Sequence, residues 1–441
     1  MNESNERRRI AVIGSGISGL TCAHVLGPHH DVVLYEAEAR LGGHANTVDV
    51  DDRVAGRIAV DTGFIVHNDR NYPNLVRLFR ELGVATVDTQ MSFSVTDRDH
   101  ASATAGFTYC ATNLNTLFAD RRNITNKVMW KMLFEIIRFY RHARRFLNAP
   151  DPALSIDEFL VAGRFSRDFV ELHLRPMGSA VWSADPSTFG GFPALSLLTF
   201  LDNHGLLGFG RRPQWRTILG GSRTYVDAIA ARFRGEIRLS SPVIGVERSP
   251  AGTVFVTTAQ EVNEFDAVVL AVHSDQALAM LTTSTTRERA LLGAVRYQTN
   301  RAILHTDVTL LPPLCKAWAA WNYDRRESEG KQVAVTYDLT ALQHLPGSRR
   351  YLVSLNSDAF IDPSLVLATF DYAHPVFDHA AISAQQAFDT IDGGGGVHFC
   401  GAWWGYGFHE DGMVSALRVC ERLGTPWVST PWIGVPGQEG S

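Results

Sequence analysis

The stretch Arg9 to Thr47, RIAVIGSGISGLTCAHVLGPHHDVVLYEAEARLGGHANT, constrains this chain more than any other. Ile10 to Ile13 is an apolar run of the kind a buried parallel strand requires, and it passes at once into GSGISG and a helix-like segment. Gly14, Gly16 and Gly19 therefore stand where a nucleotide-binding βαβ unit needs them: a tight turn, a close approach of pyrophosphate to backbone, and close helix–strand packing. The N–H groups of the helix start, around Ser18, and the positive end of its dipole attract phosphate. A second strand, Asp31 to Ala37, carries Glu36 beside Ala37 near its end, where a carboxylate accepts hydrogen bonds from a ribose. That acid disfavours a 2′-phosphate, so FAD or NAD is preferred to NADP. A glycine turn alone is weak evidence, but strand, turn, helix, strand and acid in order within about 30 residues meet the full requirement.

Arg40-Leu41-Gly42-Gly43 follows directly, with His44 next. This second glycine pair resembles the extension found in FAD proteins of the glutathione-reductase and amine-oxidase type, which adds backbone contacts to the cofactor and favours FAD over NAD. Arg40, Gly42, Gly43 and His44 join the candidate cofactor residues. Beyond a strand pair over Thr47 to Val60, Asp61-Thr62-Gly63 reads as a turn bringing Thr62 and Gly63 near the cofactor. Tyr72 to Leu82 then has helical apolar spacing, stopped by Gly83.

With 441 residues, 45% hydrophobic and 20% charged, the chain is not largely disordered and has room for two or three cores. A formal charge of −5 gives no reason to expect nucleic acid as a partner. The five cysteines are odd in number and never form a CxxC pair, which argues against zinc and against a disulfide framework; no metal is expected. No apolar signal region precedes the first strand and no run approaches 18 apolar residues, so a cytoplasmic chain without a membrane span is expected. Lysine chemistry is limited to Lys127, Lys131, Lys316 and Lys331.

The expected class is α/β: a Rossmann-like FAD-binding domain with an inserted α+β substrate domain. Residues 1–87, 217–273 and 385–430 form the first, residues 88–216 and 274–384 the second, and 431–441 a tail. The first insertion reads as helical and aromatic. Its segment Asn126 to Leu147 is a basic amphipathic helix with Lys127, Lys131, Arg138, Arg141, Arg144 and Arg145 on its polar side. Such a helix either lies on an anionic membrane, at the inner face of the cell membrane here, or caps a substrate cavity. Trp182, Asn203, His204, Arg212 and Trp215 are pocket candidates. Gly220-Gly221 and a helix over Ser222 to Phe233 return the chain to the nucleotide domain, where Glu236 to Val246 and Ala267 to Val272 read as strands. The second insertion reads as an antiparallel sheet over Tyr297–Asp307, Cys315–Asp324, Gln332–Leu339 and Arg350–Asn356, able to floor a cavity.

The N-terminal motif and the C-terminal FCGAWWGYGFHEDGMVSAL together resemble the flavin-containing amine oxidase and phytoene desaturase superfamily, over essentially the whole length. DNHGLL, PQWRT, LHTD, WNYD and GYGFHEDG resemble, more narrowly, a bacterial subgroup of FAD-binding proteins often encoded beside cyclopropane-fatty-acid-synthase-like lipid methyltransferases. The resemblance implies that Gly401, Ala402, Gly405, Gly407, Asp411, Gly412 and Met413 lie under the isoalloxazine ring, with helix-start N–H groups facing the edge that gains negative charge. It also implies that the backbone of Val243 meets the adenine. Two departures stand out: His44 replaces an arginine common in relatives, and Cys400 precedes the loop on a strand, so non-covalent FAD is expected.

The leading functional expectation is an FAD-dependent oxidoreductase moving a hydride between flavin and an apolar lipid acyl chain, in desaturation, saturation or isomerisation. Trp403, Trp404, Tyr406 and Phe408, with Trp182 and Trp215, suit such a substrate. His409 and Glu410 are the candidates for proton transfer or for holding the loop, joined by His204, His305 and Tyr323 on the cavity wall. A flavin amine oxidase releasing hydrogen peroxide is the alternative, with Lys316 the lysine open to that role. A non-catalytic flavin-binding accessory of a lipid methyltransferase is the third. No second GxGxxG is present, which disfavours direct reduction by nicotinamide.

Overall fold

The computed structural model describes residues 7–98, 104–183, 185, 188–208, 213–326 and 334–427. Arg212, Lys331 and the tail 431–441 lie outside them. Five parallel strands make the nucleotide sheet, in the order Glu236–Arg238, Asp31–Tyr35, Arg9–Ile13, Ala267–Leu270 and Val397–Phe399. The central strands are buried on both faces, which is why RIAVI, DVVLY and AVVL are continuous apolar runs and not alternations. Helix Ile17–Leu26 makes the first crossover and is buried almost all round, because the C-terminal helix His409–Arg422 covers its outer side. Ser18 Oγ donates to the Gly412 carbonyl across that contact at 2.9 Å.

Gly14 has φ +97°, a left-handed value that favours glycine, and a Cβ there would lie 2.6 Å from the Ala271 carbonyl oxygen. A Cβ on Gly19 would lie 1.8 Å from the Gly14 carbonyl oxygen, so that helix can approach the turn only without a side chain.

Both excursions meet in a second sheet of seven strands, ordered Val366–Val376, Arg296–His305, Leu352–Leu355, Val335–Asp338, Trp321–Arg325, Phe93–Asp97 and Thr108–Cys110. This corrects three expectations. The first insertion is not purely helical, since Phe93–Asp97 pairs parallel with Trp321–Arg325 and makes the sheet mixed. Cys315–Ala317 is a short 3-10 turn and not the start of a strand. The long strand Val366–Val376 is absent from the sequence reading: it is an edge strand whose Pro375 is tolerated there, but a proline argues against a strand when only sequence is in hand.

The segment Glu236 to Val246 likewise divides. Glu236–Arg238 joins the nucleotide sheet, whereas Val243–Arg248 starts an antiparallel sheet with Val254–Thr258 and Val262–Phe265. Trp215–Ile218 pairs with both Val66–Asn68 and Thr86–Thr89, so this small sheet runs across the expected boundaries at 87/88 and 216/217. At the joint between the two large sheets the buried Asp61 carboxylate accepts from Thr47 Oγ1 (2.6 Å), Ser222 N (2.8 Å), Ser222 Oγ (2.7 Å) and Gln343 Nε2 (2.9 Å). Burial pushes it up to about 6 despite these donors.

Candidate active site

A cavity of about 1080 Å3 opens between the nucleotide sheet and the seven-stranded sheet. It exceeds the roughly 300–1,000 Å3 usual for one small ligand, leaving room for a dinucleotide and a second molecule. Gly14, Gly16, Ser18, Glu36, Ala37 and Val243 line one end, and Arg40, Gly43, His44, Thr62 and Gly63 continue the wall inward. Gly401, Ala402 and Gly407 follow, and the far end carries Trp182, His204, Trp215, Trp403, Tyr406, Phe408 and His409.

The nucleotide end is a cradle. Nothing lies within 4 Å of a Cβ built on Gly16, and the helix it starts has no side-chain cap, which leaves its first N–H groups to a ligand. The Glu36 carboxylate accepts from Ser15 N at 3.0 Å, Glu38 N at 2.8 Å and Ser15 Oγ. It therefore holds the glycine turn as well as offering lone pairs to a ribose, so its loss reaches beyond one ribose contact. Glu36→Ala is expected to weaken FAD binding by more than about tenfold and to lower the melting temperature of the apoprotein. An unchanged affinity in a fluorescence titration would put the adenosine elsewhere.

Where His44 begins the inner wall, three rings surround it: the His44 ring lies 4.9 Å from Tyr372, 5.4 Å from His374 and 6.2 Å from His273. Burial holds His44 well below its ordinary value, and the neighbouring His374 and His273 lower it further. Burial brings His374 down to about 4 and lowers His273 as well. These are uncharged hydrogen-bonding groups at neutral pH, and His44 Nε2 is buried without a partner among the described residues. An orphaned polar atom on a cavity wall calls for a polar ligand, so the residues present fit a dinucleotide. Sequence reasoning missed Tyr372 and His374, which alternate on the inner face of the edge strand; period-2 spacing in FDYAHP was the available signal.

At the far end the aromatic loop is fixed by its backbone. Trp182 Nε1 donates to the Tyr406 carbonyl at 3.1 Å, Trp403 Nε1 to the Val272 carbonyl at 3.0 Å, and Gln385 Nε2 to the Trp403 and Gly405 carbonyls. Phe200 stacks on Phe408 (5.2 Å) and on His204 (3.9 Å), which in turn faces Trp215. His204 Nδ1 donates to the Phe200 carbonyl at 2.9 Å, which leaves Nε2 as the acceptor. His409 stacks on Phe64 at 3.7 Å, and burial drives it down to about 3, so it stands neutral on the wall.

Several expected site residues are elsewhere. Glu410 is turned away, accepting from Asn74 N (3.0 Å), Asn74 Nδ2 (2.7 Å) and Leu75 N (3.0 Å), where it caps the helix Pro73–Leu82. Asp411 accepts from Phe408 N at 2.9 Å, Gly412 meets the first helix and Met413 is core, so none of the three lines the main cavity. Gly19 and Gly42 shape the turn behind the wall, Gly42 N donating to the Ser15 carbonyl. His305 is buried in the second sheet against Ser354 Oγ (2.8 Å), and Tyr323 is buried outside the cavity wall. Asn203 borders a smaller pocket of about 180 Å3 with Glu410 and Asp411, and Trp404 turns to Phe388. For Glu410, Asp411 and His305 a polar group that looked free in sequence is consumed by capping or by a buried hydrogen bond.

Sheet order and glycine cradle define a dinucleotide-binding α/β fold with a second sheet across the cavity. Residues 17–349 match the flavin containing amine oxidoreductase family, and the chain belongs to it: an FAD-binding oxidoreductase family. Among relatives, coproporphyrinogen III oxidase of Mycobacterium leprae (strain TN) is 27% identical over 301 residues, which cover 62% of this chain and 61% of that oxidase. Among solved structures, the CLA-producing fatty acid isomerase from P. acnes matches with TM-score 0.68 and 15% identity, covering 95% of this chain and 99% of that one. Cyclohexylamine oxidase from Brevibacterium oxydans IH-35A matches with TM-score 0.68 and 17% identity, covering 95% and 100%. At these identities the structures establish a shared fold.

Proposed function

We propose that this protein holds FAD non-covalently along the Gly14–Glu36 cradle and acts on an apolar acyl chain in the aromatic arm of the cavity. Bound flavin supplies hydride transfer to or from carbon. The chain's own residues bind, orient and exclude water: Trp182, Phe200, Trp215 and Phe408 give an apolar wall, and His204 and Tyr406 give uncharged polar contacts at its surface.

The observation that carries this reading is the distribution of charge. Among the described residues, the charged side chains on the cavity wall are Arg40, Glu36, Glu38 and Asp371, the first three at the nucleotide end and the last exposed at an edge strand. A cationic amine is held by an anion near its nitrogen, yet among the described residues the aromatic arm shows no carboxylate on its wall, and Lys316 is exposed and away from it. The fold shared with a fatty acid isomerase is compatible with the same substrate class.

Anaerobic mixing of holoprotein with detergent-dispersed membrane lipid is expected to change the flavin absorbance, or to change acyl-chain unsaturation with the flavin unchanged at the end. Bleaching by amines but not by lipid would make this an amine oxidase. Lipid binding with neither spectral change nor altered acyl chains would leave a flavin-bound accessory protein.

A further inference from the structure

Helix Lys127–Asn148 presents to solvent a stripe made of Lys127, Trp130, Phe134, Ile137, Arg141, Arg144 and Arg145, which recur three or four residues apart and so share one face. Trp130 is 54% exposed, Phe134 68% and Ile137 39%. Large apolar side chains this open, in a row, are not explained by packing. Leu114 at 75% and Ile124 at 49% adjoin them, since Trp130 Nε1 donates to the Ile124 carbonyl and the Trp130 ring faces Phe118.

The charges within this row are all positive. The acid of the helix, Glu135, is buried on the far side, where it binds Arg138 Nη2 at 2.8 Å and Ser166 N at 3.1 Å. Arg138 also donates to the Gly163 and Arg164 carbonyls, which removes it from the expected set of outward cations. Lys131 stands at the edge, paired with Asp168 at 3.2 Å. Apolar side chains between clusters of cations match an anionic bilayer, with rings among the acyl chains and guanidinium groups at the phosphates.

We infer that this face docks on an anionic lipid surface. It goes beyond the acyl-chain reading and does not depend on it. The same helix contributes Tyr140 to the cavity wall, and Ala111, just before the turn that carries Leu114, also lines it. The segments that would touch lipid are therefore also walls of the chamber, so on this inference one helix would serve both a membrane and the cavity.

The test is flotation of the holoprotein with vesicles of phosphatidylcholine alone or mixed with phosphatidylglycerol, at low and high salt. Binding is expected with the anionic vesicles and lost with salt. Trp130→Ser and Phe134→Ser should each lower the bound fraction by about tenfold, and Arg141→Ser or Arg144→Ser by about fivefold. None of these residues lines the cavity, so flavin content should not change, and the melting temperature should fall only slightly, most in Trp130→Ser, which loses the Ile124 and Phe118 contacts. Absence of flotation, equal flotation on neutral vesicles, or unimpaired binding by the Trp130/Phe134 variants would overturn the inference. So would a concentration-dependent dimer abolished by those variants, which would assign the face to a second copy of the chain. Flavin reduction by detergent-dispersed lipid is read separately, so either reading can fail alone.

Discussion

Gly16→Ala is expected to give a well-folded protein that retains almost no FAD. A Cβ at this position meets no protein atom within 4 Å and the backbone there is extended, so the apoprotein should melt as the wild type does. The added methyl instead points into the space that a pyrophosphate needs against the first N–H groups of the helix. A loss of at least about a hundredfold in affinity corresponds to two such hydrogen bonds. Gly19→Ala should lose FAD for a different reason: its Cβ would lie 1.8 Å from the Gly14 carbonyl, pushing helix and turn apart at a cost of about 3 kcal/mol or more. Flavin absorbance after purification and melting curves of the apoproteins separate the two effects, and denatured wild type should release intact FAD to the supernatant. Normal FAD content in Gly16→Ala would move the pyrophosphate away from this turn.

A steep loss of stability in mild acid is the second large effect. Burial holds His67, His173, His305 and His374 down at about 4 and His409 at about 3, so each stays neutral in the folded protein while its unfolded counterpart takes a proton near 6.5. The unfolded chain therefore binds more protons as pH falls from about 6.5 to about 4, and stability falls with it. Asp61 and Asp411, both raised to about 6 by burial, act the other way across the same range, because the folded state protonates them first. Burial also raises Asp324, Asp338 and Glu410 and lowers His44, His204 and His273, so the lowered imidazoles outnumber the raised carboxylates and the net direction is a loss of stability by about pH 5. Urea midpoints of the apoprotein should fall steeply from pH 7 to pH 5, less so in His305→Asn, which removes one such imidazole away from the cavity. A flat profile would mean that these rings are charged in the folded state.

The cofactor cradle was legible because its determinants are local. Strand, glycine turn, helix and Glu36 are joined by bonds spanning short sequence distances, and a glycine at +97° or in contact with a carbonyl admits no other residue. The aromatic loop was legible for a related reason: a run as dense in tryptophan, glycine and aromatic residues as Gly401 to Phe408 has few uses other than a tight wall. The roles of Glu410, His305 and Tyr323 were not legible. Glu410 and His305 are polar groups whose partners come from distant segments, Asn74 and Ser354, and neither partner can be inferred from neighbours in the chain; Tyr323 is buried by the packing of the second sheet.

Sequence by itself determined the α/β class, because turn geometry and apolar periodicity act over a few residues, while the preference for FAD rested on the resemblance of the second glycine pair to that of FAD proteins. Tertiary structure alone decided which side chains face the cavity. The pairing of Phe93–Asp97 with Trp321–Arg325 merges two insertions into one sheet, and Tyr372 and His374 meet His44 only through the register of an edge strand. Such contacts depend on how strands far apart in sequence align, and a shift of one residue would turn every side chain of the edge strand to the other face.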